Sequence, residues 1–266
     1  MKTAIVSVIA AASAATLTAL AAPLAHASDS HPWVAASPRL AKETYFSNLR
    51  DGATVEAPFL VKFGLSGMGL APITKAQAHT GHHHLLVNRD LPMEFSKPLP
   101  FNDSYIHFGK GQMETALNLA PGEYTLRLVL ADEKHIPNFV YSKPLKITVT
   151  KKNAGIEPAT LSKPGVELML SNVQANVGEP LRVQFHASKF NVSHAALGEA
   201  NTGHFRLRLA GEGGKSESLD FSGGQTEAWL KPPAGRYTAT LELVDNLDPK
   251  LVLATSAPAS LTVAAR

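Results

Sequence analysis

Apolar and polar residues alternate with period two along most of this chain, the pattern of strands that bury one face. Phe59, Val61, Phe63 and Leu65 fall on one side of such a stretch, with Leu60, Lys62 and Gly64 on the other. Tyr124, Leu126, Leu128 and Leu130 alternate with Thr125, Arg127 and Val129, and Tyr237, Ala239, Leu241 and Leu243 repeat the theme. The pattern predicts strands near residues 43–50, 58–65, 82–88, 104–108, 114–119, 123–131 and 143–150, with no helix. Seven short strands in about 108 residues imply an all-β fold, an antiparallel β-sandwich of immunoglobulin or fibronectin type. The run Leu119-Ala120-Pro121-Gly122-Glu123-Tyr124 has the form of a tyrosine corner, whose hydroxyl bonds a nearby backbone group.

The same pattern occurs twice. Pro58, Val61, Phe63 and Thr80-Gly81-His82 recur as Pro180, Val183, Phe185 and Thr202-Gly203-His204, each offset by 122. Gln112, Glu114, Leu117, Gly122, Tyr124 and Asp132 recur as Gln225, Glu227, Leu230, Gly235, Tyr237 and Asp245, offset by 113. Constant offsets in two collinear blocks predict two tandem sandwiches, at 43–150 and 165–264. The linker, 151–164, is marked by Gly155, Pro158 and Pro164.

Ahead of the repeats, Lys2 is followed by an apolar, Ala-rich run from Ala4 to Leu24 that ends in Ala25-His26-Ala27. This reads as a secretory signal peptide over 1–27, and an uncleaved anchor is the alternative. The expected location is therefore periplasmic or secreted, with no transmembrane segment in the mature chain. The chain has no cysteine, which excludes disulfides, a thiolate nucleophile and Cys-ligated metal. A formal charge of +3 without an aromatic-rich basic run gives no reason to expect a nucleic-acid partner.

Histidine changes the picture. The chain has 11, and His79, His82, His83, His84, His107 and His135 crowd the first copy. In the second copy the positions of the last five hold His204, Phe205, Arg206, Asp220 and Asp248. Features kept by both copies read as scaffold, and features of the first alone read as its own function. Strand parity turns His83, the counterpart of Phe205, toward the core and His82 and His84 away from it together. Successive loops of such a sandwich alternate between its ends, so His82, His84, His107 and His135 should gather at one end. Neutral imidazoles in that arrangement suit a divalent transition metal, copper or zinc. The alternatives are ordinary ones: strand-initial His82 bonding a loop, His83 satisfied in the core, His135 solvated, or protonated His with Lys110 holding an anion.

Other signals are weaker. Gly109-Lys110-Gly111 lacks the spacing and context of a P-loop and reads as a turn. Asp103 falls at the wrong end of its strand for a His–Asp–Ser triad. Met68, in Gly64-Leu65-Ser66-Gly67-Met68-Gly69-Leu70, is either a soft ligand or an apolar plug. Asp29-Ser30-His31 makes an amino-terminal copper site only if cleavage falls after Ser28. Asn191-Val192-Ser193 fits a glycosylation acceptor. Glu114 and Glu227, kept in both copies, read as structural.

Three segments of the first copy carry a resemblance: Tyr45-Phe46-Ser47-Asn48-Leu49-Arg50-Asp51-Gly52, Thr80-Gly81-His82-His83-His84-Leu85-Leu86, and His107-Phe108-Gly109-Lys110-Gly111-Gln112 with the later Ala131-Asp132-Glu133-Lys134-His135-Ile136-Pro137. Over about 46–150 the chain resembles the bacterial domain of unknown function 4399, and the second copy is similar to a degenerate member. The resemblance implies an exported bacterial domain and no particular activity. Two positions depart from the family pattern. Met113 stands where its Gly-Lys-Gly-Gln-Thr-Glu run has Thr, and Asn138-Phe139 stands where a further His is usual.

The reading is thus an exported two-copy β-sandwich whose first copy holds copper or zinc through His82, His84, His107 and His135. One alternative is a structural or interaction module of the cell envelope, with an unidentified envelope partner and incidental histidines. The other is a hydrolase built on a His-bound zinc, for which only Asp132 and Glu133 offer a base near the His.

Overall fold

The computed structural model describes residues 31–39, 41–91, 94–214 and 216–265. The signal-peptide reading over 1–27 and the Asp29-Ser30 part of the amino-terminal motif lie outside these residues. Among them there is no α-helix, only strands and three short 3-10 turns.

A two-residue strand, β1 (Val34–Ala35), precedes the first copy. That copy comprises β2 (Glu43–Phe46), β3 (Ala53–Ala57), β4 (Phe59–Ser66), β5 (Gly69–Leu70), β6 (Thr80–Val87), β7 (Tyr105–His107), β8 (Glu114–Leu117), β9 (Gly122–Ala131), β10 (Pro137–Tyr141) and β11 (Leu145–Lys152). Strands β2, β4 and β8 form one sheet. The other runs β3-β11-β9-β6-β5, with β7 on β6 and β10 on β9. The two sheets close over Val61, Phe63, Leu126 and Leu128, which the period-two pattern marks as inward, together with Leu85 and Ile147. Each such side chain contributes about 1.5–3 kcal/mol by leaving water.

The second copy repeats the plan with β12 (Gly165–Leu170), β13 (Gln174–Asn176), β14 (Leu181–Ser188), β15 (Gly203–Gly211), β16 (Ser216–Phe221), β17 (Glu227–Leu230), β18 (Gly235–Asp245), β19 (Val252–Thr255) and β20 (Ala259–Ala264). Both tyrosine corners are present. Tyr124 donates its hydroxyl to Ala120 O at 3.0 Å and Tyr237 to Pro233 O at 2.9 Å.

The structure differs from the expected antiparallel scheme in several ways, among them the parallel pairing of β5 with β6. The first strand ends at Phe46, and the residues after it turn to form β3, which pairs parallel to β11. In the second copy β13 likewise pairs parallel to β20. These strands carry little apolar alternation, because they are made by pairing with an edge rather than by a buried face. Strand β1 crosses over and pairs with β17, so residues ahead of the first copy extend a sheet of the second.

The two copies meet through reciprocal contacts. Ser66 Oγ donates to Glu227 at 2.7 Å, and its counterpart Ser188 Oγ donates to Glu114 at 2.9 Å. Leu70 N donates to Gly224 O at 2.8 Å, and its counterpart Val192 N donates to Gly111 O at 2.9 Å. Gly111 and Gly224 have φ of +87° and +76°, and a Cβ at either would fall 2.0 Å from Val192 O or 2.3 Å from Leu70 O. Only glycine permits that approach. Leu65, Leu70 and Met113 of the first copy belong to the core that contains Phe185, Phe205 and Phe221 of the second. The contact thus has the form of an isologous dimer interface within one chain. Met113, which departs from the family pattern, is fully buried in this shared core. Its counterpart Thr226 instead bonds the backbone of Leu65.

Candidate metal centre

Strand β6 places its histidines on opposite faces. His83 joins Leu85 and Val87 on the inner face, where its ring lies 5.4 Å from Phe63 and its Nδ1 is 3.1 Å from Thr44 Oγ1. His82, His84 and Leu86 share the other face. That face is not open to water, since His82 is 1% exposed and His84 0%. The segment between β6 and β7 covers it, packing Leu99 against Leu86, Val129 and Ala131.

His107 and His135 arrive from separate elements. Strand β7 pairs with β6 so that His107 stands directly opposite His84. His135 sits in the turn between β9 and β10 at φ +64°. Asp132 Oδ1 holds this turn by accepting from Lys134 N at 2.9 Å and Ile136 N at 2.8 Å. Leu99 N donates to His135 O at 2.9 Å and ties the covering segment to the turn.

All four imidazoles converge. His107 lies 4.8 Å from both His82 and His135 and 5.0 Å from His84, ring centroid to centroid. Nε2 of His82 and His84 are 3.0 Å apart. His82, His107 and His135 each offer a ring nitrogen within 4.8 Å of the others, while His84 is furthest from His135 at 5.8 Å between rings. Nitrogens sharing one zinc ion stand roughly 3–3.5 Å apart, and the set within 4.8 Å is His82, His107 and His135, without His84. His84 Nδ1, His107 Nε2 and His135 Nε2 are buried with no hydrogen-bond partner, which costs about 1–3 kcal/mol each.

Burial disfavours charge on the imidazoles of β6 and β7. Burial, reinforced by the neighbouring imidazoles, lowers His82 to about 2 and His84 to about 3, and burial followed by His135 lowers His107. Neutral imidazole is the ligating form.

The second copy resolves the same positions differently. Arg206 Nε donates to Asp220 at 2.7 Å, and His204 Nε2 lies 3.5 Å from the same carboxylate. Burial works to raise Asp220, but hydrogen bonds from His204 and Arg206 hold it below the usual carboxylate range. A guanidinium thus supplies positive charge where the first copy gathers uncharged nitrogens. Asp248, aligned with His135, accepts from Lys250 N instead.

Phe101 escaped the sequence reading. Its ring lies 4.7 Å from His135, 5.1 Å from His107 and 6.3 Å from His84, capping the cluster while 60% exposed. It sits in an aperiodic connection, where pattern carries no signal. Met68 does not join the cluster. It packs against the shared core as a plug. Lys110 lies in a turn, and Glu114 and Glu227 serve the inter-copy contact. A cleft of about 710 Å³ lined by Met68, His79 and Trp229 holds none of the four histidines.

A search of curated proteins finds no match. Among solved structures, the fibronectin(III)-like modules of Clostridium thermocellum CbhA align at 13% identity over 84% of this chain and 94% of theirs, with a TM-score of 0.27. A two-domain fibronectin type III segment of chicken tenascin aligns at 16% identity over 82% of this chain and 95% of its own, with a TM-score of 0.24. The family described as Domain of unknown function (DUF4399) matches residues 61–150 and 183–264. These two matches cover more than half of the chain, one in each copy, and the protein belongs to the DUF4399 family.

Proposed function

We propose that this protein is an exported metal-binding module whose first copy holds a copper or zinc ion through His82, His84, His107 and His135. The observation that carries this reading is the convergence of four imidazoles from three separate elements, with buried nitrogens left unpartnered. The second copy sharpens it, because its equivalent positions are neutralised by an Arg–Asp pair. Export, to the periplasm or outside the cell, is supported by the apolar run before Ala25-His26-Ala27.

Metal content of untagged full-length protein tests the reading, together with its melting point with and without Cu(II) or Zn(II). A ligand at a hundredfold excess over Kd stabilises by about 2.7 kcal/mol. Replacing both His107 and His135 by Ala removes that gain. These two are the partly exposed pair, so their loss spares the packing under Leu99. An unchanged metal response in the double variant sinks the assignment.

A second reading, an interaction module of the envelope, draws on the aromatic surface beside the cluster. Phe95 and Phe139 stack at 4.6 Å, and Phe139 is 79% exposed. The hydrolase reading loses its best base, since Asp132 Oδ1 is committed to its turn.

A further inference from the structure

His107 does more than close the cluster. It also lines a cleft of about 640 Å³ between the two copies, with Thr74 and Lys110 from the first copy and Glu199, Asn201 and Thr202 from the second. Lys110 forms no ion pair among the described residues, while Glu199 accepts a hydrogen bond from Thr74 Oγ1 at 2.8 Å.

Charge decides what this cleft receives once the cluster is loaded. Imidazole ligands are uncharged, and the ligand group in the first copy contains no carboxylate. A divalent ion held there keeps both of its charges, in a place where two ligand rings are almost wholly buried. An uncompensated buried charge is expensive, and a metal with only neutral protein ligands attracts an anion as a further, fifth ligand. Lys110 adds a third positive charge at the cleft, against the single negative charge of Glu199. The sum stays positive.

We propose that the loaded protein binds a small carboxylate-type anion, which completes the metal's coordination from the His107 side and is drawn in by Lys110. This rests on the metal-binding reading and extends it: the second copy, which has no imidazole cluster of its own among the described residues, supplies one wall of the ligand cleft.

The test uses untagged full-length protein loaded with Cu(II), its stoichiometry measured first. Azide, which gives a charge-transfer absorption when it coordinates copper, is titrated in, and acetate is then added as the carboxylate competitor. The expected result is a saturable azide band that acetate displaces. The Lys110→Ala variant should need several-fold more of either anion while retaining the same copper affinity. Lys110 is exposed and its side chain makes no hydrogen bond or ion pair among the described residues, so the variant should fold. A copper-loaded protein with no azide band overturns the proposal and leaves the metal reading intact. A band that Lys110→Ala leaves unchanged overturns the role of the cleft. Failure to take up copper or zinc at all overturns the metal reading itself, and the proposal with it.

Discussion

At His83 the ring is enclosed between Phe63 and the hydroxyl of Thr44, and burial lowers its pKa to about 3. An unfolded histidine titrates near 6.5. The unfolded chain therefore binds the proton first as pH falls. The stability that this neutral imidazole confers is complete above about pH 6.5 and is lost as pH drops toward about 3. The second copy carries Phe205 at the matching position, fully buried. His83→Phe should thus fold, with Thr44 Oγ1 keeping its bond to Gly64 O at 3.0 Å. It should flatten the acid limb by up to one proton, or about 1.4 kcal/mol per pH unit. Urea midpoints of variant and wild type between pH 7 and 4 measure this, and parallel limbs would refute it. His82, one residue earlier, has a different task because parity turns it to the opposite face. That division was legible from the inward Phe205, Leu207 and Leu209 of the second copy. The near-complete burial of His82 and His84 was not, because the covering segment with Leu99 and Phe101 has no periodicity to read.

The turn between β9 and β10 shows what an element contributes. Asp132 Oδ1 accepts two backbone N–H groups and fixes His135 in a left-handed conformation. Its counterpart Asp245 does the same for Leu247 N at 2.8 Å and Asp248 N at 2.9 Å. Both copies need the turn, but only the first puts an imidazole on it. Asp132→Ala and Asp245→Ala should each cost about 1 kcal/mol of stability. Only Asp132→Ala should also weaken metal binding, by about tenfold, since the change acts on a ligand's support. Calorimetric titration of both variants separates the effects, and equal metal affinities would show that the turn does not position His135.

The whole molecule is held by the junction of its copies. Glu227 accepts from Tyr45 at 2.9 Å, from Ser66 at 2.7 Å, and from Arg182, whose side chain is 14% exposed against 3% for the glutamate. Glu227→Ala leaves Arg182 without its charge partner and should cost about 3 kcal/mol. Leu65, Leu70 and Met113 lie in the same core as Phe185, so the two copies should melt together in one transition, in wild type and variant alike. Two separated calorimetric peaks would contradict the shared core. At Glu114 burial raises the pKa, but hydrogen bonds from His186, Ser162 and Ser188 prevail and lower it to about 2. An unfolded glutamate titrates near 4.3. The contribution of Glu114 is therefore complete above about pH 4.3 and is lost as pH falls through about 2. Glu114→Gln should reduce the stability difference between pH 5 and pH 2.5, as read by urea unfolding.

The sequence by itself determined the strands with a buried face, the duplication, both tyrosine corners and the end of the sandwich at which the four histidines meet. Period-two burial and constant offsets are local or internal records, and loop parity follows from chain direction alone. The tertiary structure decided what depends on distant partners. Strand β3 exists because β11 offers an edge, and β1 because β17 does. The cap of Phe101 exists because Leu99 ties its segment to His135. Glu114 and Glu227 were legible as scaffold, yet each one's task is set by a serine about 74 or 161 residues away in the other copy. No pattern along one chain encodes such a contact, because its energy appears only when two surfaces bury each other.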